Sequence, residues 1–200
     1  MVKTIDELML LYQEYSDPIG KINREVKKNN LIPLVKGLYE DDRKTPGHFL
    51  SSYIYGPSYL SFEYALSFYG LIPEKVNVYT SATFNKRRRK IYQNNFGVFT
   101  YRDIPKDAYP YEIKVYVVEG YSYFMATPEK AICDKLYTLP PQKSIKGLKF
   151  LLFSDLRIDE DAFYHLDFNK IIFLCKKYKS SNMKLLLKLI QKEAGKNDRS

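Results

Sequence analysis

The spacing of apolar positions changes several times along the chain, and each change marks an element. Ile5, Leu8, Leu11, Tyr12 and Tyr15 recur three or four apart, the spacing of one helix face. Thr4 and Glu7 form a capping box, hydroxyl and carboxylate satisfying free amides at the helix start. A first helix is predicted over Thr4 to Tyr15. Asp17 and Pro18 restart the pattern, with Asp17 as N-cap and Pro18 at the first helical position, where a missing amide costs nothing. In this second helix Ile19, Ile22 and Val26 form the apolar stripe, while Lys21, Asn23, Arg24 and Lys28 fall on other faces. Asn29 and Asn30 suit its C-terminal cap. Two short apolar runs follow, Leu31 to Val35 and Gly37 to Tyr39. Pro33 has no amide to donate and fits only an edge strand, and Lys36 with Gly37 fits a tight connection between the two.

The stretch from Glu40 to Gly47 is polar and rich in turn residues, which marks a module boundary. Beyond it, Tyr59 to Tyr69 reads as a mostly buried helix, opened near Ser58 or Ser61 and stopped by Gly70. Three strand-like runs follow, Val76 to Ala82, Gly97 to Ile104 and Ile113 to Ala126, the last a hairpin broken at Glu119 and Gly120. Thr127, Pro128 and Glu129 start another helix as cap, first-turn proline and first-turn acid, carrying Ala131, Ile132, Leu136 and Leu139 inward. From Leu148 onward the pattern is helical throughout: Leu148 to Phe153, Asp161 to Leu166, Asp167 to Lys179 and Asn182 to Glu193. Helix, turn, basic helix and two-stranded wing is the outline of a winged helix-turn-helix, in which the basic helix enters the major groove of DNA. Only two helices precede the wing, so the module is a trimmed one. The expected fold class is α+β: a winged helix-turn-helix over residues 1–47, a mixed α/β domain with a helical C-terminal region over 48–193, and a flexible tail over 194–200.

Composition narrows the function classes. At 200 residues, 45% apolar and 28% charged, the chain is long enough to bury a core, which argues against wholesale disorder, a collagen-like fibre and a small disulfide scaffold. Its apolar runs fall short of the roughly 18 to 20 residues that cross a bilayer. Its first residues carry acids where a signal peptide has basic and apolar regions, so a cytoplasmic location without membrane contact is expected. Cys133 and Cys175 are too far apart for a CxxC motif, and His48 and His165 stand alone, so neither a metal site nor a Cys/His nucleophile is expected, and no cofactor. The net charge of +9 is uneven. Residues 1–50 sum to zero and residues 51–110 carry +4. Basic residues gather at Lys21, Arg24, Lys27 and Lys28, at Lys86 to Lys90, and along the C-terminal helices from Lys170 to Lys192. Polyanions are the natural partners of such clusters. The plainer alternative, a solvated face, stays open for each.

Several blocks resemble one family. Lys36, Gly37, Leu38 and Tyr39 follow a basic helix; Gly56 to Ser61 is followed by Glu63, Ala65, Leu66 and Tyr69 to Glu74. Thr80 and Ser81 precede a basic run, Phe96 and Gly97 come next, and Ala126 to Ala131 closes the pattern with Asp134. Over most of residues 4 to 140 the chain resembles the AbiEi-type antitoxins of bacterial type IV toxin–antitoxin systems, which serve in phage defence. The resemblance implies an N-terminal winged helix that represses its own operon at promoter inverted repeats, binding double-stranded DNA as a dimer or cooperative array. It implies a C-terminal domain that counteracts an AbiEii-type nucleotidyltransferase toxin without a stable complex. The shortened N-terminal module departs from the family pattern.

On this reading Lys21, Asn23, Arg24, Lys27 and Lys28 meet DNA, with Arg24 and Asn23 suited to reading guanine and adenine edges. Lys36 in the wing turn and Arg43 and Lys44 beyond it extend the contact. Lys86, Arg87, Arg88, Arg89 and Lys90 are a second set, for nucleic acid, a partner or solvent. The first turn at Thr127 and the turn at Pro57 and Ser58 are explained by helix starts alone. Glu63, Asp103, Glu129, Lys130 and Asp134 could be grouped into a nuclease-like cluster, but their spacing does not require it and no phosphate-binding glycine loop occurs. No catalytic residue is assigned and the chain is not expected to be an enzyme. The competing expectation is a protein- or RNA-binding toxin antagonist that no longer binds operators.

Overall fold

The computed structural model describes residues 1–197, with side chains described as far as Glu193. Its fold is mixed α+β, with two sheets among the described residues. The N-terminal part runs β1 (Lys3–Thr4), α1 (Ile5–Leu11), α2 (Pro18–Lys27), β2 (Ile32–Val35) and β3 (Leu38–Glu40). Both predicted helix starts form by the expected chemistry. The Thr4 hydroxyl accepts the Glu7 amide at 3.2 Å and the Glu7 carboxylate accepts the Thr4 amide at 2.7 Å. The Asp17 carboxylate accepts the Gly20 amide at 2.8 Å. Gly20 is needed there, because a Cβ would lie 1.7 Å from the Asp17 carboxylate. The three strands pair in the order β1, β3, β2, which leaves β2, with Pro33, at the edge. Gly37 makes the turn between β2 and β3 at a φ of +79°, a region that costs glycine nothing.

A small core of Leu8, Ile22 and Leu31, flanked by Ile5, Met9, Tyr12, Val26 and Tyr39, holds this part together. The first helix ends at Leu11, four residues short of expectation, and Leu11, Tyr15 and Ile19 face solvent beside Leu10. The predicted stripes are thus inward only in part: Ile5, Leu8 and Tyr12 of the first and Ile22 and Val26 of the second pack into this core, and Leu11, Tyr15 and Ile19 do not.

A second, larger core begins at β2 itself. Leu34 belongs to that core, and the Asn94 amide donates to the Leu34 carbonyl at 3.1 Å. The boundary predicted at Glu40 is likewise a packed junction: Glu40 is fully buried and accepts the Tyr121 hydroxyl at 2.9 Å. Polar composition suggested a module boundary because a buried, fully bonded carboxylate and an exposed one look alike in sequence.

The larger sheet comprises β4 (Tyr59–Leu60), β5 (Val78–Thr83), β6 (Lys90–Asn94), β7 (Gly97–Asp103), β8 (Ile113–Val118) and β9 (Tyr121–Ala126). They lie side by side in the order β6, β7, β5, β4, β9, β8. Pairings are antiparallel except β5 with β7 and β4 with β9. Of the two starts read for the next helix, Ser58 and Ser61, the second forms, and Tyr59 and Leu60 are instead the two-residue strand at the sheet's centre, with Tyr59 opposite Ala82 and Leu60 opposite both Ser81 and Met125. The helix starts after them, as α4 (Phe62–Phe68) with Ser61 as N-cap. Two long-range pairings outweigh local helix propensity here.

Three elements carried no expectation: β1, α3 (Gly47–Ile54), whose Phe49 stacks on Tyr121 and Tyr123 at 5.4 and 5.3 Å, and β6. The C-terminal region is helical as expected: α5 (Pro128–Tyr137), α6 (Ile145–Phe150) continued by a π-helical turn over Leu151–Asp155, α7 (Glu160–Tyr164), α8 (Phe168–Tyr178) and α9 (Ser181–Asn197). Helix α5 is its centre, packed against α4, α8 and α9. The tail expected from Ala194 continues α9 as far as Asn197; residues 198–200 lie outside the described residues. Among the described residues no helix is long and apolar enough to cross a membrane.

Candidate nucleic-acid interface

Helix α2 sorts its charged residues into two groups. Lys21 turns back toward the protein: its ammonium donates to Glu25 at 2.8 Å and sits over the rings of Tyr12 and Tyr15 at 5.6 and 5.2 Å. Glu25, buried despite its charge, also accepts the Asn30 side-chain amide at 2.7 Å. Hydrogen bonds from Lys21 and then Asn30 hold its carboxyl below the usual carboxylate range, and Glu25 in turn holds the Lys21 ammonium above its own. Lys21 therefore joins α1 to α2, its charge compensated locally.

Asn23, Arg24, Lys27 and Lys28 are exposed, and among the described residues none of them has an ion-pair partner. On a helix with 3.6 residues per turn, Asn23 lies beside Lys27 and Arg24 beside Lys28. The buried side of the same helix is Ile22 and Glu25, with Val26 half-buried. The result is a polar and cationic face on a helix fixed at its start by the Asp17 cap and near its end by Glu25. Lys36 is exposed in the turn between β2 and β3, and Arg43 and Lys44 are exposed after β3. Arg43 lines a shallow cavity of about 330 Å³ with Ile32, Asn95 and Phe96.

The second basic cluster sits elsewhere. The turn after β6 lies against β2 through Asn94, and Lys86 to Arg89 lie at the opposite end of that five-residue strand, about 13 Å away along it at 3.3 Å per residue. The structure thus does not merge the clusters around Arg43 and Arg88. Nor is the second one a free loop. The Asp103 carboxylate accepts the amides of Lys86 and Arg87, each at 2.7 Å, and the Thr83 hydroxyl at 2.6 Å. The Lys86 ammonium donates to the Gly56 carbonyl at 2.9 Å. Arg87, Arg88 and Arg89 project from this anchored base and are exposed, while Lys90 begins β6 half-buried.

The acids that could have been grouped as a nuclease cluster are dispersed. Glu63 pairs with Lys135 at 2.5 Å and Arg102 at 3.7 Å; Asp103 holds the basic loop; Glu129 accepts the Asp167 amide at 3.3 Å. Asp134 is fully buried, accepting the hydroxyls of Tyr59 at 2.9 Å, Ser61 at 2.6 Å and Tyr178. Lys130, one turn earlier on α5 and equally buried, lies 3.7 Å from Asp134 and donates to the Ala108 carbonyl at 2.5 Å. Its ammonium also faces the rings of Tyr59 and Tyr178, at 5.8 and 4.8 Å. Burial pulls the Lys130 ammonium down, opposed by the nearby Asp134 carboxylate. This network was not foreseen, although the spacing of Lys130 and Asp134, four apart on a helix, is visible in the sequence. The two cysteines, distant in sequence, meet between α5 and α8: contact with Cys175, then burial, push the Cys133 thiol up. Among the described residues no group of His, Cys, Asp and Glu is placed to hold a metal ion.

Comparison with known proteins gives no further constraint: no family model matches the chain, and no curated protein matches it in sequence.

Proposed function

We propose that this chain is a DNA-binding antitoxin that represses its own toxin–antitoxin operon. Residues 1–47 act as a trimmed winged helix-turn-helix, with α2 as recognition helix and the β2–β3 turn at Lys36 as wing. One observation carries the reading. The face bearing Asn23, Arg24, Lys27 and Lys28 is exposed and makes no ion pair among the described residues, whereas Lys21 on the same helix is paired. A merely solvated helix has no need to separate its cations in that way, and a duplex major groove admits a helix of this width. Residues 48–193 then counteract a nucleotidyltransferase-like toxin of the AbiEii type without a stable complex, in the cytoplasm.

The sequence blocks that resemble AbiEi-type antitoxins support this second half. The block around Tyr59 and Ser61 and the block ending in Asp134 are separated by about seventy residues, yet three-dimensional structure joins them by the two hydroxyl–carboxylate bonds described above. A second reading, a protein-binding antagonist without operator binding, is favoured by one observation, the uncovered apolar side chains of Leu10, Leu11, Tyr15 and Ile19.

Fluorescence anisotropy against DNA from the chain's own promoter tests the proposal. Salt-sensitive, sequence-selective binding is expected, with Arg24→Ala costing about 1–3 kcal/mol at the specific site and narrowing the gap to unrelated DNA. Absence of selective binding, or an Arg24→Ala variant that binds as the parent does, removes the repressor. Toxin neutralisation that Arg24→Ala leaves intact but that is lost when the exposed Leu11 and Ile19 are replaced by Ser, together with that result, supports the second reading.

A further inference from the structure

A cavity of about 510 Å³ opens beside the second basic cluster, within the roughly 300–1,000 Å³ range of ligand sites. Its walls include Tyr53, Pro57, Ser58, Tyr59, Tyr109 and Phe124. The rings are held by their neighbours: Tyr109 lies 5.1 Å from Tyr59 and 4.4 Å from Phe84. Ser58 is 4% exposed, and its buried hydroxyl has no hydrogen-bond partner. An unpaired buried hydroxyl costs free energy that a ligand's polar edge would restore.

The cationic loop adjoins this cavity through one hydrogen bond and one ring contact. Lys86 is tied to the carbonyl of Gly56, the residue before Pro57 of the wall, and Phe84, two residues earlier, contacts Tyr109 of the wall. The loop that carries the exposed Arg87, Arg88 and Arg89 is therefore tethered next to an aromatic pocket that contains one unsatisfied polar group. We propose that this pocket takes an unpaired nucleobase of a single-stranded nucleic acid, with the adjacent phosphates on Arg87 to Arg89.

Planar walls suit a planar ring, the arginines suit the anion attached to it, and Ser58 suits a base edge. A polymer fits better than a free nucleotide. The turn over 105–111 supplies Tyr109 to this cavity and, on its other side, Lys106 and Tyr111 to a second cavity of about 520 Å³. There Lys177 lies over Tyr111 and Phe173 at 4.8 and 5.1 Å, with Lys176 nearby, while Lys179 is paired with Asp107 of the same wall at 3.3 Å. Aromatic rings with cations thus occur twice on either side of one turn, an arrangement that a strand continuing past the first base would use and a mononucleotide would not. Asp103 keeps the loop in place, its carboxylate occupied by backbone amides.

The test uses the full chain and a 12-nucleotide RNA, and DNA of the same sequence, each carrying one 2-aminopurine. Binding is read by anisotropy and stacking by quenching of the 2-aminopurine. Salt-sensitive binding with quenching is expected. Tyr53→Ala with Phe124→Ala, both at exposed rim positions, should abolish the quench and weaken binding by about fivefold to a hundredfold. Arg88→Glu with Arg89→Glu should weaken it without altering the fold. No binding, binding without a quench, or a pocket variant that binds and quenches as the parent does would overturn the proposal. Tighter binding to one sugar identifies the strand. Lys27→Ala should leave this binding unchanged while weakening duplex binding; a parent chain that binds the single strand but no duplex counts against α2 alone, and one that binds duplex but no single strand counts against the pocket alone.

Discussion

Asp134→Ala is expected to be the most damaging single substitution in the core, costing about 3–5 kcal/mol, the loss typical when one partner of a buried ion pair is removed. The Lys130 ammonium would remain fully buried with one carbonyl and two ring faces as its surroundings. Three hydroxyls, those of Tyr59, Ser61 and Tyr178, would lose their common acceptor. Removing the cation instead has a smaller effect. In Lys130→Met the Asp134 carboxylate keeps its three hydroxyl donors, and a carboxylate bonded in this way stands the loss of a counter-ion 3.7 Å distant. Urea unfolding of the two variants against the parent provides the check. Equal losses, or a change under about 1 kcal/mol for Asp134→Ala, would mean that the network does not hold the sheet to α5.

The second large effect is expected at high pH. Burial, and then the charge of Asp134, push the hydroxyls of Tyr59 and Tyr178 well above the ordinary tyrosine range. Burial pushes Tyr109 and Tyr121 up to about 12 from 10.0. A tyrosine whose folded value exceeds its unfolded value binds more protons folded than unfolded above pH 10, so stability falls as pH rises through that window. For Tyr109 and Tyr121 the window runs from about 10 to about 12, and for the more deeply buried rings it extends beyond. Lys130 has the opposite sign, since burial lowers its value from 10.5: just below that pH the folded chain sheds a proton the unfolded chain keeps, which favours folding. One lysine is set against several tyrosines, so the sum is a loss. Urea midpoints should fall steeply from pH 10 to pH 12, with the part of the 295 nm absorbance that comes from the buried tyrosines appearing as a step at the unfolding transition. Ionisation of all nineteen tyrosines ahead of unfolding would contradict the burial of these rings.

What could be read from the chain alone was local chemistry. Thr4 with Glu7, Asp17 with Pro18, and Thr127 with Pro128 each signal a helix start through bonds made within four residues, and all three form. The β8–β9 hairpin follows from alternation and a turn, again within one stretch. What escaped reading depended on partners far along the chain. Tyr59 and Leu60 became a strand because Ala82, Ser81 and Met125 pair with them; Glu40 looked like a module boundary because Tyr121 lies 81 residues away. At the proposed interface the sequence located the cationic residues but not their separation. That Lys21 is spent on Glu25 while Arg24 and Lys27 are not depends on which way each turns from Ile22. That the loop carrying Arg87 to Arg89 is tethered beside aromatic rings depends on the contacts of Lys86 with Gly56 and of Phe84 with Tyr109.

The central claim is that the outward face of α2 is what meets a DNA duplex, and the salt dependence of duplex affinity tests it most directly. Each phosphate neutralised adds about 0.9 to the slope of log affinity against log salt. The account predicts that Lys27→Ala with Lys28→Ala makes the slope shallower by about 1.8, while Arg88→Glu with Arg89→Glu leaves the α2 contribution in place. An unchanged slope in the α2 variant would place the duplex on some other surface and contradict the account.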